Sequence, residues 1–198
     1  MASVGQTGVV RLFAALQPPD AVLTQLRSAV RPLRTLPGAD RLRWTPPPGW
    51  HITLAFFGEV PEEKRSALEG RLFRAARRYP AFPLHLAGGG RFGDRVLWVG
   101  VQGARRTLVR LAGSAAAAGR REHLGLEERA YHPHLTLARA RGRTPADLRP
   151  LVTALDDFTG DPWQVTELVL LRSRLPASGV PGEQPRYERV AAWPLAAG

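Results

Sequence analysis

The sequence predicts a mixed α and β protein built from two similar halves. Three observations carry that prediction. Short apolar runs of strand type alternate along the chain with segments whose apolar residues recur at helical spacing. The phrase His-x-Thr-Leu occurs twice, as "HITL" (His51 to Leu54) and "HLTL" (His134 to Leu137). Each phrase leads to a proline, Pro61 and Pro145, that opens a helical pattern with an early acid. Two such lobes would face one another across a pseudo-twofold axis, bringing the equivalent strands together; two copies are too few for a solenoid.

In chain order, "VVRLFAAL" (Val9 to Leu16) reads as a buried strand closed by "QPPD". From Ala21, the residues Val22, Leu26, Ala29 and Leu33 recur at helical spacing, and Pro32 should weaken or end that helix. "LRW" (Leu42 to Trp44) is a short strand and "TPPPGW" a rigid turn. "HITLAFFG" follows as a strand ended by Gly58. Pro61, Glu62 and Glu63 start a helix, with carboxylates at the positive end of its dipole. Leu68, Leu72, Ala76 and Tyr79 form its inner stripe, and Arg71, Arg74, Arg77 and Arg78 populate its end.

"FPLHLAGGGRF" and "RVLWVGV" are two strands joined by a turn. Residues 104–122 form a helix with Leu108, Leu111, Ala115 and Ala118 inward, although Gly113 and Gly119 weaken it. "HPHLTLAR" is the next strand. Thr144, Pro145 and Asp147 start a helix carried by Leu148, Leu151 and Leu155. "WQVTELVLLRSRL" reads as one strand, "PASGVPGEQP" as a flexible loop and "RYERVAAWPL" as the closing strand.

A chain of 198 residues, 44% hydrophobic and 8% aromatic, fits one domain, or two small lobes sharing one core, over residues 1–198. It holds no apolar run of membrane-spanning length, and its start lacks the basic and apolar regions of a signal peptide. Without cysteine there is neither disulfide nor thiolate chemistry, which fits a reducing compartment; a cytoplasmic monomer is the expectation. The net charge of +11 suits a polyanionic partner such as nucleic acid. Yet Lys64 is the only lysine, and abundant Arg, Ala, Gly and Pro also fit a composition bias of the whole genome. Charge alone does not choose between these.

The repeated phrase is more informative. In a strand, residues two apart share a face, so His51 sits with Thr53 and His134 with Thr136. Ile52, Leu54, Leu135 and Leu137 face the other way, into a core. If the lobes pair, two imidazoles and two hydroxyls converge on one small ligand. One neutral and one charged imidazole make a base and an acid near neutrality, and threonine hydroxyls can hold phosphate oxygens. That equipment suits attack at phosphorus without a metal. It does not suit a serine triad, for which no nucleophile motif is present.

His132 and His134 could instead ligate a metal, but neither motif contains a carboxylate, and no metal or cofactor is expected. His132 reads as a surface residue, His85 as structural or at a sheet edge, and His123 as part of a polar helix end. Trp50 and Tyr131, which precede the motifs, read as wall packing rather than base-stacking groups. Arg139 stands where the first motif has Phe56, so the half-sites are chemically unequal. A guanidinium would grip phosphate, but its offset of five residues from His134 puts it on the opposite strand face. Arg139 reaches the site only if the strand ends or bulges near Ala138. Phe56 meets the same objection and is expected to pack in the core.

At these residues the chain resembles the two-histidine phosphoesterase superfamily, and within it the RNA 2′,3′-cyclic phosphodiesterases, or 2′-5′ RNA ligases. "RLFAAL", "WHITLAFFGEV", "VLWVGV", "YHPHLTLAR", "LVLLRSRL" and "RYERVAAWPL" carry the likeness, which runs along most of the sequence. His132 departs from the lysine or arginine common there, and the loop 176–185 is longer and richer in Pro and Gly. The resemblance implies an α+β fold of two pseudo-symmetric lobes, with antiparallel sheets lining a basic central cleft and helices on the outside. It implies metal-free hydrolysis of an RNA terminal 2′,3′-cyclic phosphate to a 2′-phosphomonoester, with RNA or a nucleotide bearing that end as partner. Carried over, His51 donates the proton to the departing oxygen and His134 accepts one from water. Thr53, Thr136 and Arg139 would hold the phosphate. The assignment of acid and base comes from the resemblance alone. The alternatives are a reversible 2′-5′ RNA ligase acting on tRNA halves, a hydrolase of smaller cyclic phosphates, and a non-catalytic RNA-end-binding module.

Overall fold

The run Val9–Leu16 forms β1, whose last five residues are at most 2% exposed although they alternate between two faces. A strand buried on both sides reads as one continuous apolar run. Leu12, Ala14 and Leu16 enter the main core, while Phe13 and Ala15 join Val169 and Leu171 in a small cluster on the opposite face. That opposite face matters for function.

In the computed structural model, residues 8–126, 130–142, 146–175 and 184–197 are described. After β1 come α1 (Asp20–Leu33), β2 (Leu42–Trp44), β3 (Ile52–Pro61), α2 (Glu62–Ala76), β4 (Phe82–Phe92) and β5 (Val96–Gly103). Then follow α3 (Arg105–Arg121), β6 (His134–Ala140), α4 (Arg149–Thr153), β7 (Trp163–Val165), β8 (Glu167–Arg174) and β9 (Arg186–Pro194). The strands form two sheets, ordered β3-β1-β8-β9 and β2-β6-β5-β4-β7, with antiparallel pairing throughout. The two histidine phrases therefore lie in different sheets, and β3 and β6 approach one another where the sheets meet. The expected α+β architecture of two antiparallel sheets is present.

Helices cover the outer faces. α2 and α3 pack on each other and on β3, and α4 packs on β4. α1 is tied to the second sheet through Gln25, which donates to the Asp161 carboxylate (2.5 Å) and accepts from the Asp161 amide (2.9 Å). Gly119 in α3 has a packing reason: a Cβ there would come within 2.7 Å of the Phe57 ring. The core stripe expected of α2 and α3 is buried, including Leu68, Leu72, Ala76, Leu108, Leu111 and Ala115 at 0% exposure. No helix among the described residues is long and apolar enough to cross a membrane.

Three expectations are corrected. β3 does not end at Gly58; the glycine takes φ +69° inside the strand, which runs on to Pro61. "WQVTELVLLRSRL" is not one strand but two in different sheets, β7 on β4 and β8 on β1. Both strands carry buried apolar residues, and β8 buries Leu168 to Leu171 on both of its faces, so periodicity does not register the change of sheet. Third, Ala146 and Asp147 are not helical; α4 starts only at Arg149, whose amide donates to Asp147 Oδ1 (3.1 Å). Thr144 and Pro145 lie outside the described residues, as do 176–183 of the loop.

Gly90 in β4 stands in register with Trp98 in β5, and the indole lies across it. A Cβ at Gly90 would fall 2.0 Å from Trp98 Cη2. Gly90→Ala should displace the ring and lower stability by about 1–3 kcal/mol, the usual cost of overpacking. Thermal unfolding reads the loss, and near-UV circular dichroism reads the indole. An unchanged melting temperature and spectrum would contradict this packing.

Candidate active site

Both histidine strands present their motif in the same way. Ile52, Leu54, Leu135 and Leu137 are at most 4% exposed in the core, while His51, Thr53, His134 and Thr136 are half-buried on the other face. Each strand then bulges at the same place. In β3 the register passes from Thr53↔Ala15 to Ala55↔Ala14, leaving Leu54 extra; in β6 it passes from Thr136↔Trp98 to Ala138↔Leu97, leaving Leu137 extra. One extra residue reverses the alternation beyond it.

Two consequences follow. Arg139, exposed, comes onto the side of His134, which meets the condition set by its spacing. Its charge is felt by both His51 and His134. Phe56, expected in the core, is instead 43% exposed and lies 6.2 Å from Phe13, the ring beside His51. The bulge at Leu54 is the physical reason. The Arg11 guanidinium caps Phe56 at 4.9 Å from the ring centroid.

The two imidazoles are held alike. His134 Nδ1 lies 2.7 Å from the carbonyl oxygen of His132, two residues earlier. A carbonyl can only accept, so Nδ1 keeps its proton and Nε2 is the nitrogen that changes protonation state. His51 also bonds to the backbone two residues earlier, at Gly49. Aromatic rings wall each imidazole. Phe13 and Tyr187 stand 4.8 and 4.9 Å from His51, and Phe92 meets His134 edge-on at 4.8 Å. Trp98 lies 6.1 Å from His134 and 4.8 Å from His132.

Burial is the main reason that both imidazoles hold their proton weakly. His51 is lowered to about 4, with the charges of Arg139 and His134 adding to the effect, and only the Gly49 bond opposing it. His134 is also lowered, by burial and then by His132 and Arg139, against its bond to His132. The charges that act on the two rings among the described residues, Arg139, His132 and the facing imidazole, are all cations. The site is furnished for an anion.

Thr53 and Thr136 share this face, and their hydroxyls have no hydrogen-bond partner among the described residues. Arg43 stands in register with Arg139 and shares its face. Among the described residues no three His, Asp or Glu side chains are grouped as a metal would require. Trp50 is buried at 3% exposure and Tyr131 packs against the core. Neither offers a face to a base. His132 is exposed, and His123 sits past the end of α3 with φ +55°.

Sequence reasoning missed Phe13, Tyr187, Phe92, Trp98, Arg11 and Arg43. Each belongs to a strand other than the motif strand it serves, and only register brings it there. The run of aromatic and glycine residues from Ala87 to Phe92 is the one local signal that could have suggested a shaped wall.

Comparison with known proteins agrees with this arrangement. The pattern of the 2′-5′ RNA ligase superfamily matches residues 17–176. A protein of Escherichia coli described as an RNA 2′,3′-cyclic phosphodiesterase is 33% identical over 73% of this chain and 75% of its own length. One of Thermus thermophilus with the same description is 32% identical over 86% and 85%. A third, of Geobacillus stearothermophilus, is 34% identical over 77% of this chain, but the match spans only 47% of that relative. Among solved structures, E. coli LigT complexed with 3′-AMP superposes with a TM-score of 0.75 at 28% identity, covering 95% of this chain and 99% of LigT. From its fold, its two matched strands and these relatives, the chain belongs to the 2′-5′ RNA ligase superfamily.

Proposed function

We propose that this chain is one two-lobed catalytic domain, a metal-independent hydrolase that opens a 2′,3′-cyclic phosphate at an RNA end to leave a 2′-phosphomonoester. The observation that carries this reading is the pair of half-buried imidazoles, each bonded to backbone two residues upstream and each acted on by cations. The relatives described as RNA 2′,3′-cyclic phosphodiesterases support the choice of substrate. The lack of cysteine supports a reducing, cytoplasmic setting.

In this mechanism His134 Nε2 takes a proton from water as the water oxygen bonds to phosphorus. The bond from phosphorus to the 3′ oxygen breaks, and His51 supplies the proton that this oxygen needs. Thr53 and Thr136 donate to non-bridging oxygens, and Arg139 balances the negative charge that they share in the transition state. Phe56 under Arg11 offers a ring at the rim on which a base could stack.

Without a bound anion, the depressed proton affinity of His51 runs against the donor's role. His51, the proposed donor, is the ring lowered to about 4. An anionic phosphate between the rings raises both, because it replaces a field of cations by an opposite charge. His51 therefore acquires its proton with the substrate rather than before it.

Removing either histidine should lower turnover on an RNA cyclic phosphate by a factor of about 10² to 10⁴, the usual worth of a general acid or base. A 4-nitrophenyl phosphodiester separates the roles, because its leaving group departs without a proton. His51→Ala should lose far less on that ester than on RNA, while His134→Ala should lose on both. The reverse pattern would exchange the roles, and full activity of either variant on RNA would end the paired-histidine mechanism.

The pH profile follows from the same groups. The transition state carries one proton on the two rings, so kcat/KM should fall when both are already charged in the free enzyme, near and below about 4. It should fall again as pH rises through the lowered value of the other ring, below 6.5. The optimum of kcat/KM then lies on the acid side of neutrality, and that of kcat lies higher, since bound phosphate raises both groups. A kcat/KM level up to pH 9 would contradict the depressed imidazoles.

A further inference from the structure

Away from the histidines, a groove of about 250 Å³ runs between α2 and α3. These helices lie antiparallel: Lys64 Nζ donates to the Glu122 carbonyl at one end (2.9 Å), and the Tyr79 hydroxyl donates to the Arg110 carbonyl (3.0 Å) at the other. Arg71, Arg74, Arg78, Arg110 and Arg121 line the groove, and no Asp or Glu is among its lining residues. Arg71 alone has an acidic partner, Glu122. The other four are exposed and have none among the described residues.

Two ordinary explanations fall short. The helix dipole accounts for Arg74 and Arg121 in last turns, but not for Arg110 in the second turn of α3, where a cation gains nothing from it. A general excess of arginine accounts for the number of cations but not for their convergence on one hollow with no acid among them. The floor adds an independent observation. It is made of small residues, and Gly113 stands exposed in mid-helix, where a Cβ would meet nothing within 4 Å. Glycine is a poor helix former, and internal packing does not require it here. Its effect is to leave backbone open to whatever lies between the arginines.

We propose that the α2–α3 groove is a second anion site, built for a short run of consecutive phosphates gripped by Arg74, Arg78, Arg110 and Arg121. Planar guanidinium groups bind phosphate bidentately, and four of them around a small-residue floor match a run of phosphates better than a single ion. Such a run comes either from the body of an RNA whose end the histidines process or from free polyphosphate. The RNA source rests on the hydrolase reading above; the binding itself does not.

The test is a titration of the ¹⁵N-labelled chain with inorganic tripolyphosphate, following the Gly113 and Ser114 amides so that binding at the histidines is read separately. Those amides should shift, and Arg78→Gln/Arg110→Gln/Arg121→Gln should weaken the response by at least about tenfold. Gly113→Glu, which fills the floor with a carboxylate, should do the same on a folded helix. If only residues near His51 and His134 respond, or if the variants titrate as wild type, the proposal is wrong. The source is read from KM for a cyclic-phosphate dinucleotide and for the same end on a long RNA. RNA as ligand predicts that the triple variant raises KM for the long substrate only, more so at low salt. Free polyphosphate predicts lost tripolyphosphate binding with both KM values unchanged. Dinucleotide turnover in the triple variant reports the hydrolase reading independently of the groove.

Discussion

A strand has two faces, and the arrangement described here depends on one interruption of that rule in each histidine strand. His51 and Thr53 share a face by simple alternation, as do His134 and Thr136. The bulges at Leu54 and Leu137 then reverse the alternation, so that core residues occupy two successive positions and the next side chain returns to the histidine side. In one strand that side chain is Phe56 and in the other Arg139. Two elements of nearly the same sequence thus deliver a matched pair of imidazoles and an unmatched pair of flanking groups. The asymmetry between the halves enters at one position in each motif strand.

The same geometry sets the electrostatics. Half-burying an imidazole against aromatic rings disfavours its charged form, and placing Arg139 near both rings disfavours it further. Among the described residues no carboxylate offsets this at either ring. Each backbone bond from two residues upstream opposes the shift, and at His134 it leaves Nε2 as the nitrogen pointing away from the backbone. The site therefore holds weakly basic imidazoles among cations, a poor resting place for protons and a favourable one for an anion.

Much of this was legible in the sequence, for reasons that differ by element. The inner stripes of α2 and α3 followed from spacing because a helix facing a core must bury one side. The histidine–threonine faces followed from the period of a strand. Arg139 was placed conditionally, since no propensity signals a bulge and the register of Leu97 and Trp98 against β6 is a non-local fact. Phe56 was assigned to the wrong face for that reason. The division of residues 163–174 between two sheets was hidden because both β7 and β8 bury apolar positions. Phe13 reaches His51 through the pairing of β1 with β3, and Tyr187 through β9, β8 and β1, which a single sequence does not encode locally.

The central claim is that two imidazoles, and no metal, open the cyclic phosphate. Its most direct test is turnover of a short RNA ending in 2′,3′-cyclic phosphate after exhaustive treatment with EDTA, with the position of the product phosphate determined by digestion and mass. The account predicts an undiminished rate and a 2′-phosphomonoester, absent when both histidines are replaced. Activity lost on chelation and restored by a divalent cation, or a product bearing a 3′-phosphate, would contradict it.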